Sequence, residues 1–259
     1  MSQSMSPLRW TLSWLFTPLY VVVFISILCV FHLFQVVASA FGRRAQKWVL
    51  DRMNVCIVWN IRILTGASYR VVGKPALPQG RPVILVSNHQ SMYDIPMIMW
   101  ECRSREVGFI AKKELGRGLP SISYALRTLG SVLIDRADPA GSVAAIRAFG
   151  QRKESQRQVA AIFPEGTRAR DGAMKRFKAT GFRTLISAMP TALVQPVAIR
   201  GNWELLRYNF APLPFGTRIE LDFLEPIEQA GRGADELLEL IQARIQAAVS
   251  GDAAAKLVA

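Results

Sequence analysis

From Trp10 to Phe41 the chain carries no charged side chain. Residues 19–41 alone, LYVVVFISILCVFHLFQVVASAF, exceed the roughly 20 helical residues that cross a ~30 Å hydrocarbon core. Such a segment is stable only with its side chains against protein or lipid, so it predicts a membrane-embedded N-terminus. Two arrangements satisfy it. One is a spanning helix. The other is a re-entrant or monotopic helix pair, with Pro18 at a bend and His32 and Gln35 near one end; polar groups inside the run are costly in lipid but tolerated. Ala38-Ser39-Ala40 resembles a cleavage site, yet the apolar stretch is too long for a signal peptide and Arg9 is a thin charged lead.

Arg43, Arg44, Lys47 and Arg52 follow the run directly, against Arg9 alone before it. That bias predicts that everything downstream of the run lies on the cytoplasmic face of the membrane. Residues 43–65 read as an amphipathic helix: Val49, Met53, Ile57 and Leu64 recur at roughly helical spacing, and Trp48 and Trp59 suit a lipid interface. A helix packed on the soluble part is the competing reading. The chain has 32 Lys and Arg against 19 Asp and Glu, a formal net charge of +13, which favours an anionic partner. The apolar N-terminus selects the lipid bilayer over nucleic acid. Cys29, Cys56 and Cys102 have neither metal nor redox spacing and read as free thiols. With His32 and His89 as the only histidines, no metal site is expected.

After Gly66 short β-branched runs alternate with helical stretches, which predicts α/β layering. Strands are expected at 69–72, 83–86, 108–111, 131–134, 159–163, 193–199 and 218–223. Asp138-Pro139 suits the start of a helix reaching about residue 158, and Asp235 opens a last helix ending near Val249. The expected organisation is an anchoring segment, 1–65 (apolar 10–41, amphipathic 43–65), followed by a single mixed-sheet α/β domain, 66–259, flanked by helices.

The first chemical constellation is Asn88-His89-Gln90-Ser91-Met92-Tyr93-Asp94, placed where an apolar strand gives way to a helix. A turn into that helix brings Asp94 against one imidazole nitrogen of His89, which sets the tautomer and leaves the other nitrogen as a base. The second is Phe163-Pro164-Glu165-Gly166-Thr167-Arg168. Gly166 permits a backbone turn, and Arg168 presents a planar fork suited to a phosphate, with Thr167 and backbone N–H groups as further donors.

NHQSMYD resembles the Asn-His-x-x-x-x-Asp block of the glycerolipid acyltransferase family, and within it the 1-acylglycerol-3-phosphate acyltransferases. AKKELGRGLP (111–120) with GSVLIDR (130–136), FPEGTR (163–168) and LVQPVAI (193–199) are similar to the family's further blocks, in family order over about residues 80–200. The resemblance implies an acyltransferase domain in which His89 and Asp94 are catalytic. It implies that Glu165, Gly166, Thr167 and Arg168 bind the acceptor's phosphate; among the positive charges beside the same blocks, Lys113 and Arg136 are read as further substrate contacts. It implies no cofactor: acyl-CoA or acyl carrier protein is the donor substrate and a lysophospholipid the acceptor, giving phosphatidic acid. After Phe177-Lys178 the family shows a small residue such as Gly, whereas Ala179-Thr180-Gly181 stands here.

An alcohol attacking a thioester needs mainly positioning and removal of its proton, the task assigned to His89. Backbone N–H groups near Gly166 or the Asn88 amide are candidate oxyanion donors. No Gly-x-Ser-x-Gly elbow and no cysteine near His89 is present, so direct transfer is preferred to an acyl-enzyme. Two other functions compete: an acyltransferase for another lysolipid, such as a lyso-ornithine lipid, and a non-catalytic membrane-surface binding protein.

Overall fold

The expected strands all form in the computed structural model, which describes residues 5–251. They are β1 (Ser68–Val72), β2 (Val83–Ser87), β3 (Val107–Lys112), β4 (Val132–Ile134), β5 (Val159–Ile162), β6 (Leu193–Arg200) and β7 (Arg218–Phe223). One seven-stranded sheet runs in the order β1-β7-β6-β2-β5-β3-β4. Neighbours are parallel except β6 and β7, which makes the sheet mixed as expected. β2 and β5 are unbroken apolar runs because both of their faces are covered, the usual condition of central parallel strands.

The covering helices are α3 (Asp94–Glu101), α4 (Ile122–Thr128), α5 (Pro139–Ser155), α6 (Ala179–Ala188) and α7 (Ala234–Ser250). On one face of the sheet Ile84 and Val86 pack with Phe149, Phe182, Leu185 and Ile241. On the other, Leu85, Phe109 and Leu221 pack with Ile98 and Cys102. Asp138 caps α5 as read, its Oδ1 accepting from the Gly141 N–H at 2.9 Å. The helix stops at Ser155, short of residue 158, because Arg157 adopts the left-handed conformation (φ 51°) that ends helices.

Two helices precede the sheet: α1 (Pro7–Ser39) and α2 (Arg43–Leu64). Pro18 sits inside α1, and the chain reverses instead at residues 40–42, where Gly42 supplies a φ of 88°. The two helices then run side by side, with Gln35 against Met53 and the Asn60 side chain donating to the Tyr20 carbonyl at 3.4 Å. Among the described residues α1 is the one helix long and apolar enough to cross a membrane.

One face of α1 is nevertheless fastened to the α/β unit along its length. Ser13 Oγ accepts from the Phe215 N–H at 2.8 Å and Thr17 Oγ1 from the Leu213 N–H at 2.9 Å. Farther along, Ser121 Oγ donates to the Leu28 carbonyl at 2.9 Å and the Ser121 N–H to His32 Nδ1 at 3.3 Å. Between these points Tyr20 and Leu28 share one core with Ile57 and Ile61 of α2 and with Tyr93 and Ile219 of the sheet unit. The opposite face leaves Leu15, Leu19, Val22, Leu33, Phe34 and Val37 exposed, and on α2 Trp48 and Trp59 are exposed beside them.

Candidate active site

β2 and its neighbours β5 and β6 are parallel, so the residues that follow all three meet at one edge of the sheet. This is the edge at which open α/β sheets place their ligands. β2 leads into Asn88-His89, β5 into Phe163-Pro164-Glu165, and β6 into Gly201-Asn202. Asn88 continues the ladder with its side chain: Nδ2 donates to the Ile199 carbonyl at 2.9 Å, and Oδ1 accepts from the Ile199 N–H at 2.8 Å. Its amide is thereby committed to holding the β2 and β6 ends together.

The turn after β2 brings Asp94, the first residue of α3, under His89. Asp94 Oδ2 lies 2.7 Å from His89 Nδ1 and also accepts the N–H groups of Gln90 and Ser91, at 2.7 and 2.9 Å. Its Oδ1 accepts from the Asn202 side-chain amide. The carboxylate has no exposed surface, and all of these contacts are donors, which satisfies a buried acceptor-only group. Because Asp94 can only accept, the proton sits on Nδ1 and the lone pair of Nε2 is the one left outside. The imidazole is clamped further: its ring stacks on Phe163, with centroids 4.2 Å apart and planes 19° apart. Its backbone is held on both sides, the N–H by Glu165 Oε1 and the carbonyl by the Ala169 N–H, each at 2.7 Å.

Glu165 occupies a different place from the one expected of a phosphate contact. It is buried, with Oε1 accepting the His89 N–H and Oε2 the Lys175 N–H at 2.9 Å. Burial pushes its carboxyl above the ordinary value, and those two N–H donors oppose the rise. A second anion would be repelled there, so the geometry makes Glu165 a brace that ties the 163–175 loop to the His89 backbone.

Gly166 turns the chain with a φ of 70°, its N–H donating to the Phe163 carbonyl at 2.9 Å. Thr167 is exposed, and its hydroxyl accepts from Lys175 Nζ at 3.1 Å. The Arg168 side chain is half-buried and forms no hydrogen bond or ion pair among the described residues. Arg136, following β4, donates to the Gly166 carbonyl and so belongs to this turn. Lys113, at the end of β3, is exposed and pairs with Asp135, which offsets its charge. Gly181, the nearest glycine after Lys178, lies inside α6 facing Ile146 and Ile162.

No serine hydroxyl or cysteine thiol hydrogen-bonds His89 among the described residues. Ser87 Oγ donates to the Asn88 carbonyl and Ser91 Oγ accepts the Tyr93 N–H, so both flanking serines are engaged in the turn. Nothing local in the sequence identifies Asn202 and Phe163 as partners of the pair. Gly201 was the available signal for Asn202: a strand ending in Gly-Asn marks a sharp exit, and a Cβ at Gly201 would stand 1.9 Å from the Arg218 carbonyl. Which strand lies beside β2 is not written locally.

A family model described as Acyltransferase matches residues 68–200, just over half of the chain. Over 109 residues the chain is 37% identical to a 1-acyl-sn-glycerol-3-phosphate acyltransferase of Helicobacter pylori strain J99, covering 42% of this chain and 44% of that protein. Over 211 residues it is 29% identical to the protein of that name from Pseudomonas aeruginosa, covering 80% and 77% respectively. The chain spans about half the length of the first curated relatives it matches. Its fold is similar to the crystal structure of the 1-acyl-sn-glycerophosphate (LPA) acyltransferase PlsC from Thermotoga maritima, with a TM-score of 0.74 and 26% identity over 95% of this chain and 97% of that one. With the matched region taking in both His89-Asp94 and the Phe163–Arg168 turn, the chain belongs to the acyltransferase family.

Proposed function

We propose that this protein is a 1-acylglycerol-3-phosphate O-acyltransferase, which moves an acyl chain from a thioester, acyl-CoA or acyl carrier protein, to the sn-2 hydroxyl of 1-acylglycerol-3-phosphate and forms phosphatidic acid. The observation that carries the reading is the buried Asp94 locking His89 with Nε2 outward at the sheet edge. The names of its relatives support the substrate.

In this mechanism the acceptor hydroxyl gives its proton to His89 Nε2 as its oxygen attacks the thioester carbon. Asp94 stabilises the imidazolium without taking the proton, as the corresponding carboxylate does in hydrolase triads. The tetrahedral intermediate then expels the thiolate, which recovers the proton from Nε2, leaving an ester and a free thiol. His89 and Asp94 are the catalytic pair. Gly166, Thr167 and Arg168 receive the phosphate, the unpartnered guanidinium of Arg168 supplying the forked contact. Glu165 acts through the His89 backbone, Arg136 supports the Gly166 turn, and Lys113 contributes at the rim.

Residues 66–259 form the catalytic unit and 1–65 its membrane seat. The contacts of α1 with the sheet unit extend from Ser13 to His32, so a transverse α1 would carry Leu213, Ser121 and their neighbours into the hydrocarbon. This favours a monotopic seat over a span, with α1 lying along the surface and its exposed face in one leaflet. Arg43, Arg44, Lys47 and Arg52 then meet anionic headgroups on the cytoplasmic face.

The test is an assay of the purified chain in nanodiscs with an acyl thioester, following free thiol and lipid product together. Equal amounts of thiol and phosphatidic acid from lysophosphatidate are expected. Product formed only from a lyso-ornithine lipid, or thiol released with no lipid product, refutes the assignment.

A further inference from the structure

Beside the His89 edge an open cleft of about 910 Å³ lies between the start of α1, the loop after Arg168 and the segment leading into β7. Arg9, Arg207, Arg218, Trp203, Asp171 and Glu204 give it its chemistry. Elsewhere Arg43, Arg81, Arg183 and Arg200 pair with carboxylates. Arg207 and Arg218 form no ion pair among the described residues, although two carboxylates line the same cleft, and Arg9 gives only its Nε, to the Phe215 carbonyl at 2.9 Å. Arg207 lies 5.7 Å from the Trp203 ring centroid, so an indole and a guanidinium stand together on one wall.

That wall is continuous with the catalytic elements. Asn202, which holds Asp94, directly precedes Trp203. Gly172 packs so closely against Trp203 that an added Cβ would stand 2.3 Å from its Nε1. The Gly172 N–H donates to the Ala169 carbonyl at 3.3 Å, and the Ala169 N–H to the His89 carbonyl at 2.7 Å.

Resting on the acyl-transfer reading above, we infer that this cleft binds the nucleotide end of a coenzyme A thioester. The adenine stacks on Trp203, and the phosphates meet the open guanidiniums of Arg207 and Arg218, with Arg9 at the cleft's membrane side. An indole face suits a purine, and unpaired guanidiniums suit phosphate oxygens. A carrier protein brings only a pantetheine arm with a single phosphodiester and no base, which would leave Trp203 and most of the cationic groups without a role.

The experiment compares acyl-CoA with the same acyl chain on pantetheine, which lacks the nucleotide, in wild type and in Arg207→Gln/Arg218→Gln. Losing charged hydrogen bonds to phosphate is expected to lower kcat/KM for acyl-CoA at least about tenfold more than for the pantetheine thioester. Trp203→Phe should keep that ratio near wild type and Trp203→Ala should reduce it. Isothermal titration of CoA into each full-length variant reads the same site without turnover and tests it even if acyl transfer fails in every arm. Melting curves confirm that these surface changes leave the fold intact. A rise in KM for lysophosphatidate instead of the donor would overturn the assignment in favour of the acceptor phosphate. Loss of affinity only for phosphatidylglycerol nanodiscs, with CoA binding unaltered, would overturn it in favour of a lipid headgroup.

Discussion

Glu165→Gln distinguishes a brace from a substrate contact with almost no change of volume. Each carboxylate oxygen now accepts one backbone N–H, from His89 at 2.7 Å and from Lys175 at 2.9 Å. A glutamine has one acceptor oxygen, so its NH2 must face one of those donors, and a buried N–H loses its partner. That costs about 1–3 kcal/mol. In a chain of this size such a loss lowers Tm by about 2–12 °C. If the displaced donor is His89, Nε2 also moves relative to the acceptor hydroxyl, and kcat falls more than KM rises. The assays are thermal melting in nanodiscs and thiol release with lysophosphatidate and with an equally long lysolipid lacking the phosphate monoester. The brace predicts proportional losses for both acceptors. Unchanged Tm and kcat with an altered KM for lysophosphatidate alone would refute it and return Glu165 to the phosphate site.

His89→Ala should lower turnover at least ~10²-fold with membrane association retained; near-normal activity in the thiol assay would remove it as the base. For Asp94→Asn, the unpartnered Oδ1 of Asn202 can rotate to accept the new NH2, leaving the new amide oxygen for the Gln90, Ser91 and His89 donors. The fold should therefore persist while turnover drops with little change in KM, and a melting loss as large as that for Asp94→Ala would contradict this rearrangement. Arg168→Lys keeps the charge and loses the fork, so use of lysophosphatidate should weaken by about 1.5–3 kcal/mol in kcat/KM, with Arg168→Ala costing more. Equal proportional losses with a phosphate-free acceptor would assign Arg168 to the loop. Burial brings the Lys153 amine down to about 8, beside Glu106 at 3.6 Å. Between pH 8 and about 10.5 the unfolded chain holds a proton that the folded one releases, so wild type should gain stability relative to Lys153→Met as pH rises, by up to about 3 kcal/mol in chemical denaturation. A pH-independent difference would mean that the amine stays charged.

The short-range chemistry of this protein was legible along the chain. Strand runs such as Val83-Ile84-Leu85-Val86 announce central parallel strands because both faces must be buried. A carboxylate at the start of the helix after His89 is close enough in sequence for local geometry alone to bring them together. The Asp138-Pro139 helix start is equally local. Only the assembled structure shows that one face of α1, carrying Ser13, Thr17, Tyr20 and Leu28, is buried. What covers that face is not a local property. The uncharged run leaves a span and a monotopic pair equally open, and the donation of the Phe215 and Leu213 backbones, about 200 residues away, to Ser13 and Thr17 is a contact it does not announce. Sheet order is likewise a tertiary decision. Placing β5 and β6 on either side of β2 puts Phe163 under the His89 ring, Asn202 on Asp94 and Glu165 on the His89 backbone N–H. Sequence carries the residue types and their local turns; long-range pairing decides which lone pair meets which donor, because burial leaves each polar group only the partners that the assembled sheet brings within reach.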